Sequence, residues 1–273
     1  MPWGETMPEL PEVEVTRRRL ERELVGKRFA QVVLRVTKLR LLVPSGLTTI
    51  LPGLMVRGID RRGKYLLFNC GSGWLLVHLG MTGFLKLLRG SLPPEKHDHL
   101  DFVFDDGHLL RFYDPRKFGT VTWFSGDPLL YPLLAEMGPE PLGGSFDGPY
   151  LFGAAKGKKI AVKQLIMDSS VVAGVGNIYA NEALFHACIR PDRAAGTTSL
   201  QECEELVAAI RKVLEESIVE GDACIVAESA VAYHPQAFKV YGRGGKPCIS
   251  CNATLEVIRL GGRSTVFCRT CQK

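Results

Sequence analysis

Four of the eight cysteines have the spacing of metal ligands. Cys248 and Cys251 form one CxxC pair, Cys268 and Cys271 form another, and sixteen residues separate the pairs. Two such pairs supply the four sulfur ligands of a tetrahedral zinc site, and four protein ligands leave no position for water. We therefore predict one structural Zn²⁺ ion. The alternatives are two disulfides or a redox CxxC motif, but disulfides are rare inside cells and a redox motif usually follows a strand of a larger α/β unit.

The residues between the two cysteine pairs predict a β-hairpin. Residues 255–260 and 265–267 have the composition of short strands, and Gly261-Gly262 is a signal for a tight turn. Arg263 follows this turn and would lie at the tip of the hairpin. The segment 239–273 contains seven basic residues and one acidic residue, so the hairpin belongs to a cationic module. This charge favours contact between Arg263 and phosphate.

The first half of the chain is predicted to form a helix followed by an antiparallel β-sandwich. The helix covers residues 11–25, with a proline at its start and apolar residues on one face. Turn residues, among them the hairpin signal Asp106-Gly107, separate several short β-type runs. These runs cover residues 29–36, 55–70, 74–80, 83–89, 100–104, 109–113 and 119–124.

The second half has a helical pattern that begins after a Pro/Gly-rich stretch at residues 138–144. Ser199 and Glu202 have the spacing of a capping box, and a predicted helix over 199–219 ends at Gly221. Residues 173–180 join two further helical segments. The Gly-Val-Gly-Asn177 sequence in that connection fits a helical hairpin that grips a phosphodiester backbone.

Composition restricts the class of protein. The chain has 273 residues, of which 46% are hydrophobic and 23% charged, as in an ordinary globular protein and not in a disordered or fibrous one. No run reaches the ~18 apolar residues of a membrane-spanning helix, and the N-terminus lacks the apolar core of a secretory signal. We therefore expect a soluble, cytoplasmic protein. The net charge of +5 is weak evidence for a nucleic-acid partner.

The motifs along the chain together resemble those of formamidopyrimidine-DNA glycosylase. They occur in family order from Met7 to Lys273, and the Val-Gly-Asn-Ile-Tyr form of the helical hairpin favours this family over the related endonuclease VIII. The shared motifs are Met7-Pro-Glu-Leu-Pro-Glu-Val-Glu14, Arg-Arg-Gly-Lys64-Tyr, His-Leu-Gly-Met81-Thr-Gly, Lys-His97-Asp-His, Asp-Pro-Arg116-Lys-Phe118-Gly, Gly-Val-Gly-Asn177 and Val-Tyr-Gly-Arg243, followed by the cysteine pairs.

The resemblance implies a multi-domain α+β fold. Its parts are an N-terminal antiparallel β-sandwich with a flanking helix, a helical helix-two-turn-helix domain and a terminal β-hairpin zinc finger. The expected divisions are an N-terminal extension at 1–6, the catalytic β-sandwich at 7–137, a linker at 138–150, the helical DNA-binding domain at 151–238 and the zinc finger at 239–273.

The resemblance also implies an enzyme, a bifunctional DNA glycosylase and abasic-site lyase. The family excises oxidised purines, chiefly formamidopyrimidines and 8-oxoguanine, from duplex DNA and cleaves the strand by β,δ-elimination. Its nucleophile is an N-terminal proline, matched here by Pro8, which forms a Schiff base with the sugar. Glu9 matches the acid/base residue, Lys64 a lysine of the β-elimination, and Arg263 the finger arginine that binds phosphate and serves the δ step.

Further positions match residues that contact DNA in the family. His97, Arg116, Lys158 and Asn177 match DNA-binding residues. Met81, Arg116 and Phe118 match the wedge that fills the gap left by the extruded nucleotide, as base flipping requires. The implied partner is double-stranded DNA that contains oxidised bases. The protein would act as a monomer, associated with the nucleoid in a bacterium.

Two departures from the family pattern bear on activity. Six residues precede Met7, and an internal Pro8 has an amide nitrogen that cannot attack a sugar, so we expect the active chain to begin at Pro8. If it does not, the alternative is a catalytically impaired protein that binds damaged DNA; another is an endonuclease VIII-like glycosylase for oxidised pyrimidines.

The second departure is at residues 221–225. They read Gly-Asp-Ala-Cys-Ile, where the family has Gly-Gly and small hydroxyl residues. Asp222 would repel phosphate unless it is turned away. This change predicts weaker discrimination between 8-oxoguanine and ring-opened purines.

Overall fold

The computed structural model describes residues 8–90, 92–225 and 238–273, with only the backbone described at residues 224 and 225. The described chain divides into two compact units. One contains residues 8–135 with 220–225, and the other contains residues 136–219 with 238–273. The expected extension at 1–6 and the segment 226–237 lie outside the described residues. Within the described part of the chain, no helix has the length and apolar character needed to cross a membrane.

The first unit opens with helix α1, Leu10–Leu24, within one residue of the predicted bounds. Glu9 is its N-cap, and the Glu9 N–H donates to the Glu12 carboxylate at 2.8 Å in a capping box. Val13, Leu20 and Leu24 are buried and form the face that packs onto the strands. Local capping and apolar spacing therefore define this helix.

Two four-stranded antiparallel sheets complete the first unit. One has the order β1-β6-β7-β5 and the other β2-β3-β4-β8. One hydrophobic core contains Phe102 and Phe112 of the first sheet and Phe68 and Val77 of the second, so the predicted β-sandwich is confirmed. The strands are β1 (Phe29–Leu34), β2 (Gly58–Arg62), β3 (Tyr65–Asn69), β4 (Trp74–His78), β5 (Phe84–Arg89), β6 (Asp98–Phe104), β7 (His108–Tyr113) and β8 (Thr120–Phe124), and two short helices are α2 (Leu47–Ile50) and α3 (Pro132–Ala135).

Turn chemistry sets the strand boundaries. The predicted run 55–70 is two strands, because Gly63 adopts a left-handed φ of 55° and reverses the chain between β2 and β3. Asp106-Gly107 joins β6 and β7 as predicted, with Gly107 at φ 87°. Lys64 follows Gly63 as the second residue of the two-residue β2–β3 turn.

The second unit is mainly helical and ends in the finger. Its helices are α4 (Gly148–Ala155), α5 (Val162–Met167), α6 (Asn177–His186) and α7 (Leu200–Ile225), the last of which continues into the first unit. The predicted capping box of α7 is present, with the Ser199 N–H donating to Glu202 at 2.7 Å and the Glu202 N–H donating to the Ser199 hydroxyl at 3.2 Å.

Helix α7 does not end at Gly221, contrary to the sequence prediction, but continues to Ile225. Glycine inside a helix costs only about 1 kcal/mol, which local contacts can offset. Here Arg18 of α1 forms an ion pair with Asp222, one residue beyond Gly221. This ion pair also turns Asp222 towards Arg18, so a neighbouring cation balances the charge that we expected to repel phosphate.

The finger is the predicted hairpin, made of β9 (Glu256–Leu260) and β10 (Arg263–Phe267). Gly261 and Gly262 both have positive φ, 54° and 75°, which matches the two-residue turn favoured between antiparallel strands. Because that turn is so short, Arg263 pairs directly with Leu260, and β10 begins two residues before the predicted start.

Candidate functional site

The expected nucleophile and acid lie at the start of α1. Pro8 is buried immediately before the helix, and Glu9 is fully buried as its N-cap. The first turn of a helix favours negative charge because its N–H groups point outwards. The capping box therefore fixes the backbone of Glu9, the residue that directly follows Pro8.

Lys64 lies next to a histidine that the sequence analysis did not select. Tyr65 and His78 are paired across β3 and β4, with ring centroids 4.6 Å apart. Burial, together with the positive charges of Lys64 and Arg40, lowers the pKa of His78 to about 4. The Gly80 N–H donates to His78 Nδ1 at 3.0 Å, so the neutral ring carries its proton on Nε2.

This environment predicts an acid-sensitive step in stability. The pKa of His78 is about 4 in the folded chain, against about 6.5 in an unfolded one, so the unfolded state takes up the proton first. We expect the contribution of the neutral ring to be lost progressively as pH falls from 6.5 to about 4. Urea unfolding measures the free energies of unfolding of wild type and His78→Gln, and their difference at pH 7.5 provides the baseline. If this difference does not change between pH 7.5 and pH 4.5, the lowered pKa of His78 is contradicted.

The loop 114–119 presents two of the three expected wedge residues. Arg116 and Phe118 are exposed, and the Arg116 guanidinium lies 4.7 Å from the centroid of the Phe118 ring. The buried Asp114 carboxylate accepts the N–H groups of Arg116 at 3.2 Å and Gly119 at 2.8 Å. Both ends of the loop are therefore fixed while its middle projects outwards.

The third wedge residue, Met81, is in the turn that packs against this loop. Gly80 has φ 74°, and a Cβ there would lie 2.6 Å from both Gly119 N and the Phe118 carbonyl carbon. Only glycine permits this approach, which brings the Met81 turn against Phe118. The structure thus assembles the expected wedge from two connections that are distant in sequence.

His97 lies at the base of the same loop. Its carbonyl accepts the Asp114 N–H at 3.0 Å, and its ring meets Tyr113 edge-on with centroids 5.8 Å apart. His99, two residues on, donates through Nε2 to the Asp114 carbonyl at 2.8 Å. Pro8, Glu9, Lys64, His97 and the wedge all belong to the first unit.

The other expected DNA-contacting residues belong to the second unit. Lys158 is exposed, and its carbonyl accepts the Gly196 N–H at 2.8 Å. Asn177 is the first residue of α6, so the predicted helical hairpin is formed by α5 and α6. Its Oδ1 accepts a hydrogen bond from Lys163 at 2.7 Å. Arg263 is exposed as the first residue of β10.

The four finger cysteines form the predicted metal site. Their sulfur atoms lie within 4.8 Å of one another, with Cys248 and Cys271 3.9 Å apart and Cys251 and Cys268 3.5 Å apart. A tetrahedron with Zn–S bonds of ~2.3 Å has sulfur atoms about 3.8 Å apart, so the cluster fits one structural zinc ion. None of the seven cysteines whose side chains are described forms a disulfide, which argues against that alternative.

Comparison with known proteins identifies the family. The family models that match are the Formamidopyrimidine-DNA glycosylase N-terminal domain over residues 7–121, the Formamidopyrimidine-DNA glycosylase H2TH domain over 137–229 and the Zinc finger found in FPG and IleRS over 245–273. A formamidopyrimidine-DNA glycosylase of Geobacter metallireducens is 61% identical over 266 residues, which cover 97% of this chain and 100% of that protein. This chain belongs to the formamidopyrimidine-DNA glycosylase family.

Solved structures agree with this assignment to the formamidopyrimidine-DNA glycosylases. The Lactococcus lactis enzyme bound to DNA containing an abasic site has a TM-score of 0.88 and 34% identity, covering 97% of this chain and 100% of that one. The Thermus thermophilus enzyme has a TM-score of 0.84 and 38% identity, covering 97% and 98%. The resemblance seen in the sequence motifs and the expected α+β fold are thereby confirmed.

Proposed function

We propose that this chain is a bifunctional DNA glycosylase and abasic-site lyase that removes formamidopyrimidines and 8-oxoguanine from duplex DNA. The observation that carries this function is the buried Pro8-Glu9 pair at the start of α1, in a chain 61% identical to a formamidopyrimidine-DNA glycosylase over that protein's whole length. Lactococcus lactis structures contain that family's enzyme with DNA carrying an abasic site or Fapy-dG.

The chemistry begins with the amine of Pro8. Its lone pair forms a bond to C1′ of the damaged nucleotide while the bond from C1′ to the base breaks, and the leaving base takes the proton that the amine nitrogen loses. Glu9 protonates the ring oxygen, so the sugar opens and an iminium joins Pro8 to C1′. The iminium acidifies the C2′–H bond. Loss of that proton expels the 3′ phosphate in the β step, and a second elimination expels the 5′ phosphate.

Cations and donors of both units would bind the backbone during these steps. Lys64 serves the β-elimination and contacts DNA, while Arg263 binds phosphate and serves the δ step. The neutral His78 beside Lys64 offers an Nε2–H donor to phosphate without adding charge. His97, Lys158 and Asn177 supply further DNA contacts. Chromosomal DNA as the substrate also implies association with the nucleoid.

The wedge would occupy the space that the extruded nucleotide leaves. Met81 and Phe118 offer apolar surface against the neighbouring bases, and Arg116 reaches the unpaired partner base. Because Asp114 and Gly80 fix both connections, little ordering is needed when the wedge enters the duplex. Its shape alone does not select one lesion.

A substrate panel tests the proposed function. We expect borohydride to trap the chain on duplexes that contain formamidopyrimidine, 8-oxoguanine or an abasic site. Because residues 221–225 lack the hydroxyl groups of the family, the rates for the first two lesions should differ by less than about tenfold. The control is a Glu9→Gln variant, which should bind the same duplexes but lacks the proposed acid/base carboxyl group.

The panel also separates the alternatives. A preference for thymine glycol over both purine lesions would show that the protein is an endonuclease VIII-like glycosylase for oxidised pyrimidines. Tight binding to every duplex with no trapped adduct would show that it is a catalytically impaired protein that binds damaged DNA. The similarity to formamidopyrimidine-DNA glycosylases favours neither alternative.

A further inference from the structure

A buried lysine connects the helical hairpin to the finger. Lys163, on the first turn of α5, is 1% exposed. Its Nζ donates to Asn177 Oδ1 at 2.7 Å, to Thr265 Oγ1 at 2.7 Å and to the Ser264 carbonyl at 3.1 Å. These three acceptors match the three N–H groups of an ammonium. A buried ammonium is stable only with such partners, so its position determines theirs as well.

The hydrogen bond to Lys163 orients the amide of Asn177. An ammonium can only donate, so Oδ1 faces Lys163 and the Nδ2 group of the same planar amide points to the opposite side. Asn181 fixes the backbone of the same residue by donating to the Asn177 carbonyl at 2.6 Å. Oδ1 of Asn181 also accepts the Val266 N–H of β10 at 3.0 Å. The amide donor of Asn177 is therefore held relative to the finger strand.

The same lysine fixes the part of strand β10 that directly follows Arg263. Ser264 and Thr265, which accept from Lys163, follow Arg263 directly in β10. The neighbouring Gln164 lies against the hairpin turn, with its Nε2 3.0 Å from the position of a Cβ on Gly261. The first turn of α5 thus supports the finger tip on the side that carries Arg263.

We propose that Lys163 is a positioning residue that couples Asn177 and Arg263 into one phosphate-binding unit. This inference rests on the proposed function, because both partners were assigned as DNA contacts. Lys163 is itself too buried to reach a phosphate, and it acts by holding an amide donor and a guanidinium at a fixed separation along the DNA backbone. Loss of Lys163 should therefore weaken phosphate binding by Asn177 and by Arg263 at the same time.

Double-mutant cycles test the coupling. Kd is measured for a duplex with a tetrahydrofuran abasic analogue, using Lys163→Met alone and combined with Asn177→Ala or Arg263→Gln. We expect Lys163→Met to raise Kd at least tenfold in the wild-type chain and less than about threefold where either partner is already removed. Lys212→Met, which removes an exposed lysine of α7 in the same unit, is the matched control and should change Kd less than twofold.

A product assay distinguishes positioning from a general loss of structure. Lys163→Met should shift products from δ- to β-elimination because Arg263 serves the δ step, while borohydride trapping at saturating DNA stays within twofold of wild type. If Lys163→Met does not fold or retain zinc, Thr265→Val replaces it in a cycle with Asn177→Ala, and the same coupling is expected.

Two results would count against the inference in different ways. In one case, the losses of binding free energy are additive in both cycles while the wild-type chain binds normally. This result would overturn the coupling and leave the proposed function in place. Failure of the wild-type chain to bind the abasic duplex would overturn the proposed function and this inference with it.

Discussion

A chain that begins at Pro8 is expected to form a borohydride-trapped adduct with an abasic duplex, and a chain that retains residues 1–7 is expected to form essentially none. The reason is covalent. A terminal proline has a secondary amine with a lone pair, whereas an internal proline has an amide nitrogen without one. Loss of the nucleophile should reduce strand cleavage on the order of 10³-fold or more. Gel electrophoresis after borohydride reduction measures the adduct.

Binding provides the control for this comparison. Both chain forms should bind the uncleaved abasic analogue with similar affinity, because the proposed wedge and phosphate-binding residues all lie outside residues 1–7. An alternative amine at Pro2 would lie six residues upstream, up to ~20 Å away in an extended chain. Equal adduct yields from the two forms would show that Pro8 is not the nucleophile, and sequencing of the adduct would then identify the reacting residue.

Removal of the zinc ion is expected to unfold the finger and leave the β-sandwich intact. The finger core is small, consisting mainly of Phe185, Val240, Leu255 and Val266 around two of the cysteines. Comparable zinc sites contribute on the order of 10–16 kcal/mol to folding, far more than such a core supplies. Cys268→Ser should abolish zinc binding and weaken affinity for the abasic duplex at least about tenfold, since Arg263 loses its support. Elemental analysis and a binding titration measure the two effects.

Hydrogen exchange shows which part of the protein unfolds when zinc binding is lost. Amides of β9 and β10 should lose protection in Cys268→Ser, while those of β6 and β7 keep it. Cys188→Ser is the matched control, because Cys188 is an exposed thiol outside the metal cluster. Wild-type protein with no bound zinc and a protected finger would contradict the structural role of the metal.

Features with local signals could be predicted from the sequence. Helix α1 has a proline at its start and α7 a capping box, the β6–β7 and β9–β10 hairpins have Asp-Gly and Gly-Gly turns, and the zinc site has two CxxC pairs. Each signal spans a few residues, so its physical cause is contained within the stretch being read.

Features that depend on distant partners could not be predicted. Lys163 and Thr265 are 102 residues apart in sequence, and Arg18 and Asp222 are 204 apart. Read alone, Lys163 is one of many lysines, and Gly221 is a reasonable helix end. His78 was also overlooked, although it lies three residues before Met81 in a motif that the sequence analysis had selected. Its proximity to Lys64 and Arg40 depends on sheet register and loop packing.

The capping box at Glu9 has a consequence for chemical selectivity. Chain termini usually fray, and immobilising a residue costs about 1–2 kcal/mol in backbone entropy. Here the Glu9 N–H is bonded to Glu12 in the first turn of a buried helix, so that cost is met on folding and not during the reaction. A reactive amine on a loose tail would condense with any aldehyde that diffuses past. An amine held at a buried helix start is less accessible to such aldehydes and is already ordered for a sugar that is brought to it.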